Sequence, residues 1–408
     1  MARFLTLNDF KMKDKVAIVR VDFNSPVDPE TKRLLDDTRI RAHGETTIKE
    51  LVEKDAKVVV LAHQGRPGDP DFTPLREHAE KLGQVLGKTV KYVDDLYGEK
   101  AKNAMKKLKS GEVLVLENTR TYPEEQKSKT PEEHAKSDFI KALAPLADVF
   151  VNDAFSAAHR AHASVVGFTA VLPSAAGRIM ERELKALSRV LEAPEKPCVF
   201  ILGGAKADDS LKISTYVLKN NIADYILTGG ITAHLFLVAK GVDLGKPNME
   251  LLEKQKVLGL VPGIKELMAT YPAKVKTPVD VAAEVDGKRK EIAVKSLPTE
   301  HPIFDIGAKT IAEYSKIIGE AKSIVVSGPP GVYERKEFVK GTKGILEAVA
   351  NSKAFSLVGG GHTVAAVNEL GIADKVSYIS TAGGALIEFL MGGKLPGVTA
   401  LEEAAKRR

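Results

Sequence analysis

Apolar runs typical of strands alternate along the whole chain with longer segments of helical spacing. The strand-like runs lie at residues 16–21, 57–62, 89–93, 113–116, 148–151, 198–202, 224–228, 274–282, 323–327, 354–358 and 376–380. Helical spacing of Ala, Lys, Glu and Leu occurs at 39–53, 74–86, 132–146, 209–220, 309–319 and 342–351. Such alternation predicts βαβ units and mostly parallel sheets, so the pattern favours an α/β fold.

One long amphipathic helix pattern divides the chain. It runs from Arg178 to Leu191, with apolar residues on one face and Arg, Glu and Lys on the other. Pro194 and Pro197 end the pattern. We interpret this segment as an interdomain helix. Since 408 residues are enough for two domains of ordinary size, we expect one domain on each side of it.

The composition indicates a soluble globular protein whose partner is a small anion. Hydrophobic residues make up 44% of the chain and charged residues 28%, as in ordinary globular domains. The net charge of +6 is a small excess of 60 basic over 54 acidic residues, and no basic run resembles a nucleic-acid-binding tail. We therefore expect a small anionic substrate and no nucleic-acid partner.

A single cysteine, Cys198, excludes an internal disulfide bond and is typical of a reducing compartment. We interpret it as a small apolar residue at the start of a buried strand. The first residues lack the apolar core of a signal peptide, and no apolar stretch approaches the roughly 20 residues of a membrane span. We expect a cytoplasmic protein with no membrane partner.

In the first half, the apolar runs end in side chains that bind anions. Arg39 begins a helical segment, while His63 and Arg66 lie in a Gly/Pro turn after the second run. Arg120 and Arg160 follow later runs. Because ligands of α/β sheets bind beyond the carboxyl ends of strands, these arginines are placed to converge on one carboxylate and one phosphate. The set favours a binding site over isolated surface charges.

In the second half, similar runs end in glycines, and Lys206 directly follows the first cluster. The clusters lie at 203–204, 229–230, 328–331, 359–361 and 383–384. Glycine after a strand lets backbone N–H groups approach a phosphate at a helix N-terminus. One Gly pair is weak evidence, but five along one sheet edge predict a nucleotide-binding rim.

Three familiar motifs fit poorly. Residues 83–89 are one residue short of a phosphate-binding Walker loop and follow a helical segment instead of a strand. Residues 359–364 approximate the dinucleotide fingerprint, but the next run does not end in the acidic residue that would bind a ribose. His159 and His162 lack a third ligand of suitable spacing, which disfavours a metal pair there.

Nearly the whole chain resembles the phosphoglycerate kinase family. The matching segments, in the family's order, are VDFNSP at 21–26, AHQGRP at 62–67, ENTR at 117–120, FVNDAF at 150–155, HRAH at 159–162, ILGGAK at 201–206, GPPGVYE at 328–334, GGGHTV at 359–364 and LPGV at 395–398. The resemblance implies two Rossmann-like α/β domains with mostly parallel sheets, joined by the long helix and a hinge. Residues 1–175 would bind 3-phosphoglycerate and residues 176–395 Mg-nucleotide, with the segment 396–408 returning to the first domain.

The resemblance also implies site residues and roles. The acid-substrate site would comprise Asp22, Asn24, Arg39, His63, Arg66, Arg120 and Arg160. The nucleotide site would comprise Gly204, Lys206, Gly230, Gly307, Gly328, Glu334, Gly359, Gly360, Gly361, His362 and Thr363, with Glu334 bonding the ribose hydroxyls. Arg39 and Lys206 would be the catalytic pair.

Three positions depart from the commonest family pattern and resemble the archaeal branch. Ser210 replaces a second Lys, although Lys212 is nearby; Ser327 replaces an Asn; and His362 replaces an Asp associated with the metal. The metal contact is thus left open, with Asp209 as one candidate. We expect Mg²⁺ to be held mainly by the nucleotide phosphates, because it prefers oxygen ligands.

The implied reaction is reversible phosphoryl transfer between 1,3-bisphosphoglycerate and ADP, giving 3-phosphoglycerate and ATP, in glycolysis and gluconeogenesis. The attacking oxygen is already ionised in both directions, so alignment and charge cancellation replace a general base. Since the two ligands belong to different domains, we expect a hinge closure before direct in-line transfer. The alternatives are an NAD-dependent dehydrogenase and a non-catalytic nucleotide-binding regulator. Monomer and homodimer both remain open.

Overall fold

The chain folds into two units, of which the computed structural model describes residues 4–407. Unit 1 comprises the residues up to Lys185 and those from Lys394 onward, and unit 2 runs from Ala186 to Gly393. The division falls within the long helix, not after residue 175 as the sequence analysis placed it. The first turn of that helix is tied to unit 1, because the Arg178 guanidinium bonds both carboxylate oxygens of Glu50 at 2.6 Å.

Unit 1 contains a six-stranded parallel sheet. Its strands are β1 (Val16–Arg20), β2 (Lys57–Leu61), β3 (Lys91–Tyr92), β4 (Val113–Val115), β5 (Val149–Asn152) and β6 (Ser174–Ala176). They are ordered β3-β4-β2-β1-β5-β6. The central strands are buried on both faces, which explains their unbroken apolar sequence. The strand β6 was not predicted, since it consists only of small residues.

Unit 1 helices cover both faces of this sheet. They are α1 (Thr38–His43), α2 (Lys49–Glu53), α3 (Arg76–Leu86), α4 (Glu99–Lys106), α5 (Pro131–Ala135), α6 (Asp138–Leu143), α7 (Ala163–Val166) and α8 (Arg178–Leu191). A π-helical turn at Gly44–Ile48 joins α1 to α2, so the predicted segment 39–53 forms one continuous helix. The long helix α8 has the predicted bounds, and its residues belong to both units.

Unit 2 contains a second six-stranded parallel sheet and a small antiparallel one. Its strands are β7 (Cys198–Leu202), β8 (Tyr225–Thr228), β9 (Val275–Lys276), β10 (Asp280–Val285), β11 (Lys288–Ala293), β12 (Ile303–Ile306), β13 (Ser323–Ser327), β14 (Phe355–Gly359) and β15 (Tyr378–Ile379). The parallel sheet has the order β15-β14-β13-β7-β8-β9, and the antiparallel sheet the order β11-β10-β12.

The antiparallel sheet corrects the prediction of one strand over 274–282. The chain leaves the parallel sheet after β9 and enters the antiparallel sheet at β10, with Pro278 between them. Proline lacks the N–H that a sheet interior requires, which is consistent with the break. The strand β11 is rich in Lys and Arg and lies at the sheet edge, so it lacks the apolar run by which other strands were predicted.

The helices of unit 2 alternate with its strands along the chain, as in unit 1. They are α9 (Ala207–Lys219), α10 (Gly230–Ala239), α11 (Lys246–Lys254), α12 (Val261–Thr270), α13 (Ala308–Glu320), α14 (Val339–Asn351), α15 (Gly361–Glu369) and α16 (Gly383–Leu390). The last helix, α17 (Pro396–Lys406), belongs to unit 1. No helix in the described range 4–407 is long and apolar enough to cross a membrane.

Each parallel sheet has a point at which its strand order reverses. In unit 1 the chain moves from β1 to β2 on one side and later adds β5 on the other side of β1. In unit 2 it moves from β7 to β8, then adds β13 on the other side of β7. Ligands of open α/β sheets bind at such switch points, beyond the carboxyl ends of the strands. Each unit therefore has its own candidate site.

Candidate functional site

The predicted basic residues of unit 1 lie on loops that leave the carboxyl edge of its sheet. Arg39 is in the first turn of α1, Arg66 is exposed in the turn after β2, and Arg120 lies in a short turn after β4. Burial, together with the neighbouring charges of Arg160 and Arg20, lowers the pKa of Arg120 to about 10. The structure thus brings together arginines that are far apart in sequence.

Asp22 is the acidic centre of this cluster. Its buried carboxylate bonds Arg39 and the Ser156 hydroxyl, and its Oδ1 accepts the backbone N–H of Asn24 at 3.0 Å. Burial alone would raise the pKa of Asp22, but the nearby His63, the Arg39 guanidinium and the Ser156 hydroxyl outweigh it and lower the pKa to about 2. Asn24 Oδ1 in turn accepts the N–H of Gly65 at 2.8 Å, which ties the first loop to the second.

His63 is held by Arg20, a residue that the sequence analysis did not select. Arg20 is 1% exposed, and its Nη2 lies 3.0 Å from His63 Nδ1. Because a guanidinium only donates, Nδ1 accepts and the His63 proton resides on Nε2. Burial and then the charge of Arg20 hold the pKa of His63 well below its ordinary value. His63 is therefore a neutral hydrogen-bond donor. The pattern that could have revealed Arg20 is a charged residue within a buried strand.

A second histidine that was not selected from the sequence, His43, holds the backbone of Asp22. His43 Nε2 accepts the backbone N–H of Asp22 at 3.2 Å, so its Nδ1 carries the proton and donates to Asp153 Oδ2 at 2.6 Å. The other oxygen of Asp153 accepts the backbone N–H of Ile179 at 2.8 Å. This chain of hydrogen bonds connects the Asp22 loop to the first turn of α8.

Positive charge exceeds negative charge in this cluster. The guanidinium groups belong to Arg20, Arg39, Arg66, Arg120 and Arg160, whereas the carboxylates coupled to them belong to Asp22 and Glu125. Burial raises the pKa of Glu125, which bonds the Ser164 backbone and hydroxyl. Partly buried guanidinium groups without enough carboxylates are suited to bind an anion with more than one charge.

Most glycines of the unit 2 loops are required by packing between the loops. Gly204 N–H donates to the Pro329 carbonyl at 2.8 Å, and Gly230 N–H donates to the Pro330 carbonyl at 2.7 Å. A Cβ on Gly328, whose φ is +90°, would lie 2.2 Å from the Gly203 carbonyl oxygen. These glycines lock the loops after β7, β8 and β13 together, which explains them without any ligand.

The start of α15 differs, because it faces open space. Gly360 is the N-cap of this helix, with φ +87°, and a Cβ on Gly361 would meet no atom within 4 Å. Thr363 is buried, and its hydroxyl accepts the Gly328 N–H at 2.9 Å. The N-terminus of α15 therefore leaves room for an anion, and Thr363 holds the neighbouring loop.

A cavity of about 280 Å³ lies beside these loops in unit 2. Of the predicted nucleotide residues, Gly204, Gly230, Glu334 and His362 line it. The other predicted residues lie outside its lining; they are Lys206, Gly307, Gly328, Gly359, Gly360, Gly361 and Thr363. Apolar side chains of Leu251, Val281, Ile303, Phe304 and Ile306 form much of its wall. The cavity suits a flat apolar ring.

Lys206 is the N-cap residue of α9 and is exposed. In the part of the chain that the structure describes, it forms no ion pair. The two other candidates near it are engaged: Ser210 is buried and accepts the Thr232 hydroxyl at 3.1 Å, and Lys212 pairs with Asp208. Lys206 is therefore the available cation beside the first glycine turn.

Oxygen ligands for a cation are sparse in this region. No group of three or more His, Cys, Asp or Glu residues suited to a metal occurs within residues 4–407. Asp209 is half-buried in the first turn of α9 and can offer one carboxylate. The His362 side chain is 80% exposed, and its Nδ1 lies 3.4 Å from Glu334 Oε1. This set fits a metal that a ligand's phosphates hold, with at most one protein carboxylate.

The cavity wall contains two buried polar residues that the sequence analysis did not select. Asp305 bonds Arg289 and the N–H of Gly341, each at 2.7 Å, and burial raises its pKa to about 6 despite the arginine. His234 lies on α10 and is 5% exposed. Asp305 could have been found as a charged residue within a buried strand, like Arg20, whereas His234 stands in the apolar sequence of α10 with no such signal.

Comparison with known proteins is consistent across sequence and structure. A family model described as phosphoglycerate kinase matches residues 7–393. The chain is 48% identical over 400 residues to a phosphoglycerate kinase of Methanobacterium bryantii, covering 98% of this chain and 97% of that protein. The crystal structure of phosphoglycerate kinase from Pyrococcus horikoshii OT3 has a TM-score of 0.88 and 40% identity, with 99% of both chains covered. The phosphoglycerate kinase structure from Coxiella burnetii has a TM-score of 0.86 at 33% identity, covering 99% of this chain and 100% of that one.

Proposed function

The chain belongs to the phosphoglycerate kinase family, and we propose how its two units share the reaction of that family. The reaction is phosphoryl transfer between 1,3-bisphosphoglycerate and ADP, a step of glycolysis. In our proposal unit 1 binds the acid substrate and unit 2 binds the nucleotide. The excess of buried positive charge in unit 1, against an apolar cavity in unit 2, is the observation that supports this assignment.

Unit 1 would bind 3-phosphoglycerate through its basic cluster. We assign the acid-substrate site to Asp22, Asn24, Arg39, His63, Arg66, Arg120 and Arg160. Arg66, Arg120 and Arg160 bind the phosphate, since guanidinium forks match its oxygens. His63 donates from Nε2, in the tautomer that Arg20 imposes. Asp22 orients Arg39, whose guanidinium it bonds.

Unit 2 would bind ADP or ATP with the base in the apolar cavity and the phosphates at helix N-termini. Glu334, at the cavity wall, bonds the ribose hydroxyls. The open start of α15 at Gly360 and Gly361 binds phosphate, because unpaired N–H groups and the helix dipole favour an anion there. Gly328 and Gly359 shape the loops that lead to this site.

Catalysis would rest on charge and alignment. The attacking oxygen is ionised in both directions, so no side chain has to remove a proton. Arg39 and Lys206 neutralise charge that develops on the transferring phosphoryl group. Mg²⁺ would supply further neutralisation of the phosphate oxygens when bound with the nucleotide, and Asp209 would be the carboxylate that holds it. His362 contacts the phosphates as a hydrogen-bond donor.

The division between units is tested by kinetics with each substrate varied in turn. Arg66→Ala and Arg160→Ala should raise KM for 3-phosphoglycerate by about 10-fold or more, the effect of losing a charge-assisted hydrogen bond, and leave KM for ATP nearly unchanged. Arg33→Ala removes an exposed arginine that pairs with Glu77, and it should leave both KM values near wild type. Equal effects of the two cluster variants on both substrates would contradict the assignment.

A further inference from the structure

The unit 2 cavity contains a buried histidine with an unpartnered ring nitrogen. His234 lies in the second turn of α10 and lines the cavity together with Gly230, Ile231 and Ala233 of the same helix. Its Nδ1 is enclosed and has no hydrogen-bond partner among residues 4–407. Since no hydrogen bond engages either nitrogen of the His234 ring among these residues, the imidazole takes no part in the protein's own polar network.

The enclosure of Nδ1 indicates which nitrogen carries the proton. Burial lowers the pKa of His234 to about 4, so at neutral pH the ring has one N–H and one lone pair. Enclosed N–H groups without an acceptor are rarer in native proteins than enclosed acceptor atoms. The proton therefore resides on Nε2, and the imidazole has one donor to offer a ligand.

The other polar side chains that line the cavity are Asp305, Glu334, His362 and the exposed Gln255, and none of them is a buried donor that is free of other partners. The Asp305 carboxylate is engaged by Arg289 and the Gly341 N–H. Glu334 and His362 are more than half exposed and interact with each other at 3.4 Å. Against an apolar wall, one donor is enough to orient a flat heterocycle, because few polar groups set the pose in such pockets.

On the basis of the nucleotide assignment proposed above, we infer that His234 recognises the base: its Nε2–H donates a hydrogen bond to an unprotonated ring nitrogen of the purine. Apolar contacts alone accept any flat ring of suitable size. A single buried donor adds a preference for a base that presents an acceptor at one position. His234 is thus a specificity-determining residue for the nucleotide.

The first test uses the wild-type enzyme with ADP and its 1-deaza, 3-deaza and 7-deaza analogues, in each of which C–H replaces one ring nitrogen. We expect one analogue to bind about three- to tenfold more weakly than ADP in titration calorimetry, the loss typical of one neutral hydrogen bond. The other two should bind like ADP. Equal affinity for all four nucleotides would overturn the inference, and this result requires no variant to fold.

The second test assigns the contact to His234. His234→Phe retains a ring and removes the donor, so ADP and the sensitive analogue should bind this variant equally. A difference that persists would assign the contact to another group and also overturn the inference. Leu251→Val is the matched control: it lines the same cavity without a polar atom, and it should change the affinity for all four nucleotides by one common factor.

Failure of the underlying nucleotide assignment would look different. If the base does not occupy this cavity, neither His234→Phe nor Leu251→Val will change the affinity for ADP. If the base occupies the cavity but His234 does not bind it, both variants will lower the affinity for ADP. The relative affinities of ADP and its three analogues will then be the same in each variant as in the wild type. The two outcomes separate a wrong site from a wrong residue.

Discussion

At the residue scale, the proposed catalytic lysine, Lys206, differs from the neighbouring Lys212 because its ammonium group is not held in an ion pair within residues 4–407. Lys206 has no ion-pair partner within the described residues, whereas Lys212 is occupied by Asp208. Lys206→Ala should lower kcat by on the order of 10²-fold, as loss of one preorganised transition-state contact does, with a much smaller change in nucleotide affinity. Steady-state kinetics and ADP calorimetry measure the two effects. Lys219→Ala, at the other end of α9, is the control, and near-normal turnover of Lys206→Ala would place the transferring group elsewhere.

For His362, a role in ligand binding can be distinguished by experiment from a purely structural role at the start of its helix. It lies at the open start of α15, and a neutral imidazole cannot supply the charge that Mg²⁺ prefers. We expect His362→Ala to weaken nucleotide binding about three- to tenfold and leave the Mg²⁺ requirement intact. His362→Asp should lower the free Mg²⁺ needed for half-maximal activity. A wild-type ADP affinity for His362→Ala, together with a wild-type Mg²⁺ titration for His362→Asp, would leave His362 without a ligand role.

At the element scale, the buried pair of His43 and Asp153 connects the Asp22 loop to the long helix α8. Asp153 accepts the Ile179 N–H at the start of α8 and the His43 ring N–H, and His43 in turn holds the Asp22 backbone. His43→Ala removes the donor to a fully buried carboxylate. The free energy of unfolding should fall by about 2 kcal/mol, which is typical for hydrogen bonds to charged groups.

Urea unfolding measures this loss, and Glu45→Ala, an exposed change two residues along the chain, should stay within about 0.5 kcal/mol of wild type. Because His43 also positions Asp22, the KM for 3-phosphoglycerate should rise in His43→Ala and not in Glu45→Ala. A stability loss without a KM change would restrict His43 to a structural role.

At the scale of the whole molecule, the buried carboxylate of Asp22 should affect stability in acid. Its pKa in the folded protein is about 2, below the ordinary value of 3.8, so the folded state binds this proton more weakly than the unfolded chain. The contribution is complete above pH 3.8 and is lost as the pH falls through 2. Its size is about 2 kcal/mol at pH 7, of which about half remains at pH 3.

The measurement is the difference in unfolding free energy between wild type and Asp22→Asn at pH 7 and pH 3. We expect this difference to shrink by about half at the lower pH. Asp69→Asn, which changes an exposed carboxylate in the loop after β2, should show little difference at either pH. A difference for Asp22→Asn that does not depend on pH would indicate that lost packing, not charge, causes it.

Local patterns along the chain were enough to predict parallel sheets that alternate with helices. The predicted run 198–202 and helix 178–191 have the bounds of β7 and α8, because strands buried on both faces and amphipathic helices leave periodic patterns in the local sequence. The order of the strands in each sheet was not predicted and comes only from the structure. Family motifs then supplied the reaction, which the comparisons confirm.

The buried polar groups that support the two candidate sites are recognised only once the chain is folded. Arg20 acts on His63 from a strand whose other residues are apolar, and His234 looks like any core position of α10. The antiparallel strand β11 was missed because pairing with β10 stabilises it, not an apolar run of its own, and β12 was missed because it is only four residues long and contains Asp305. Such partners lie far apart in the chain, and local patterns contain no information about contacts that form only when distant segments pack together.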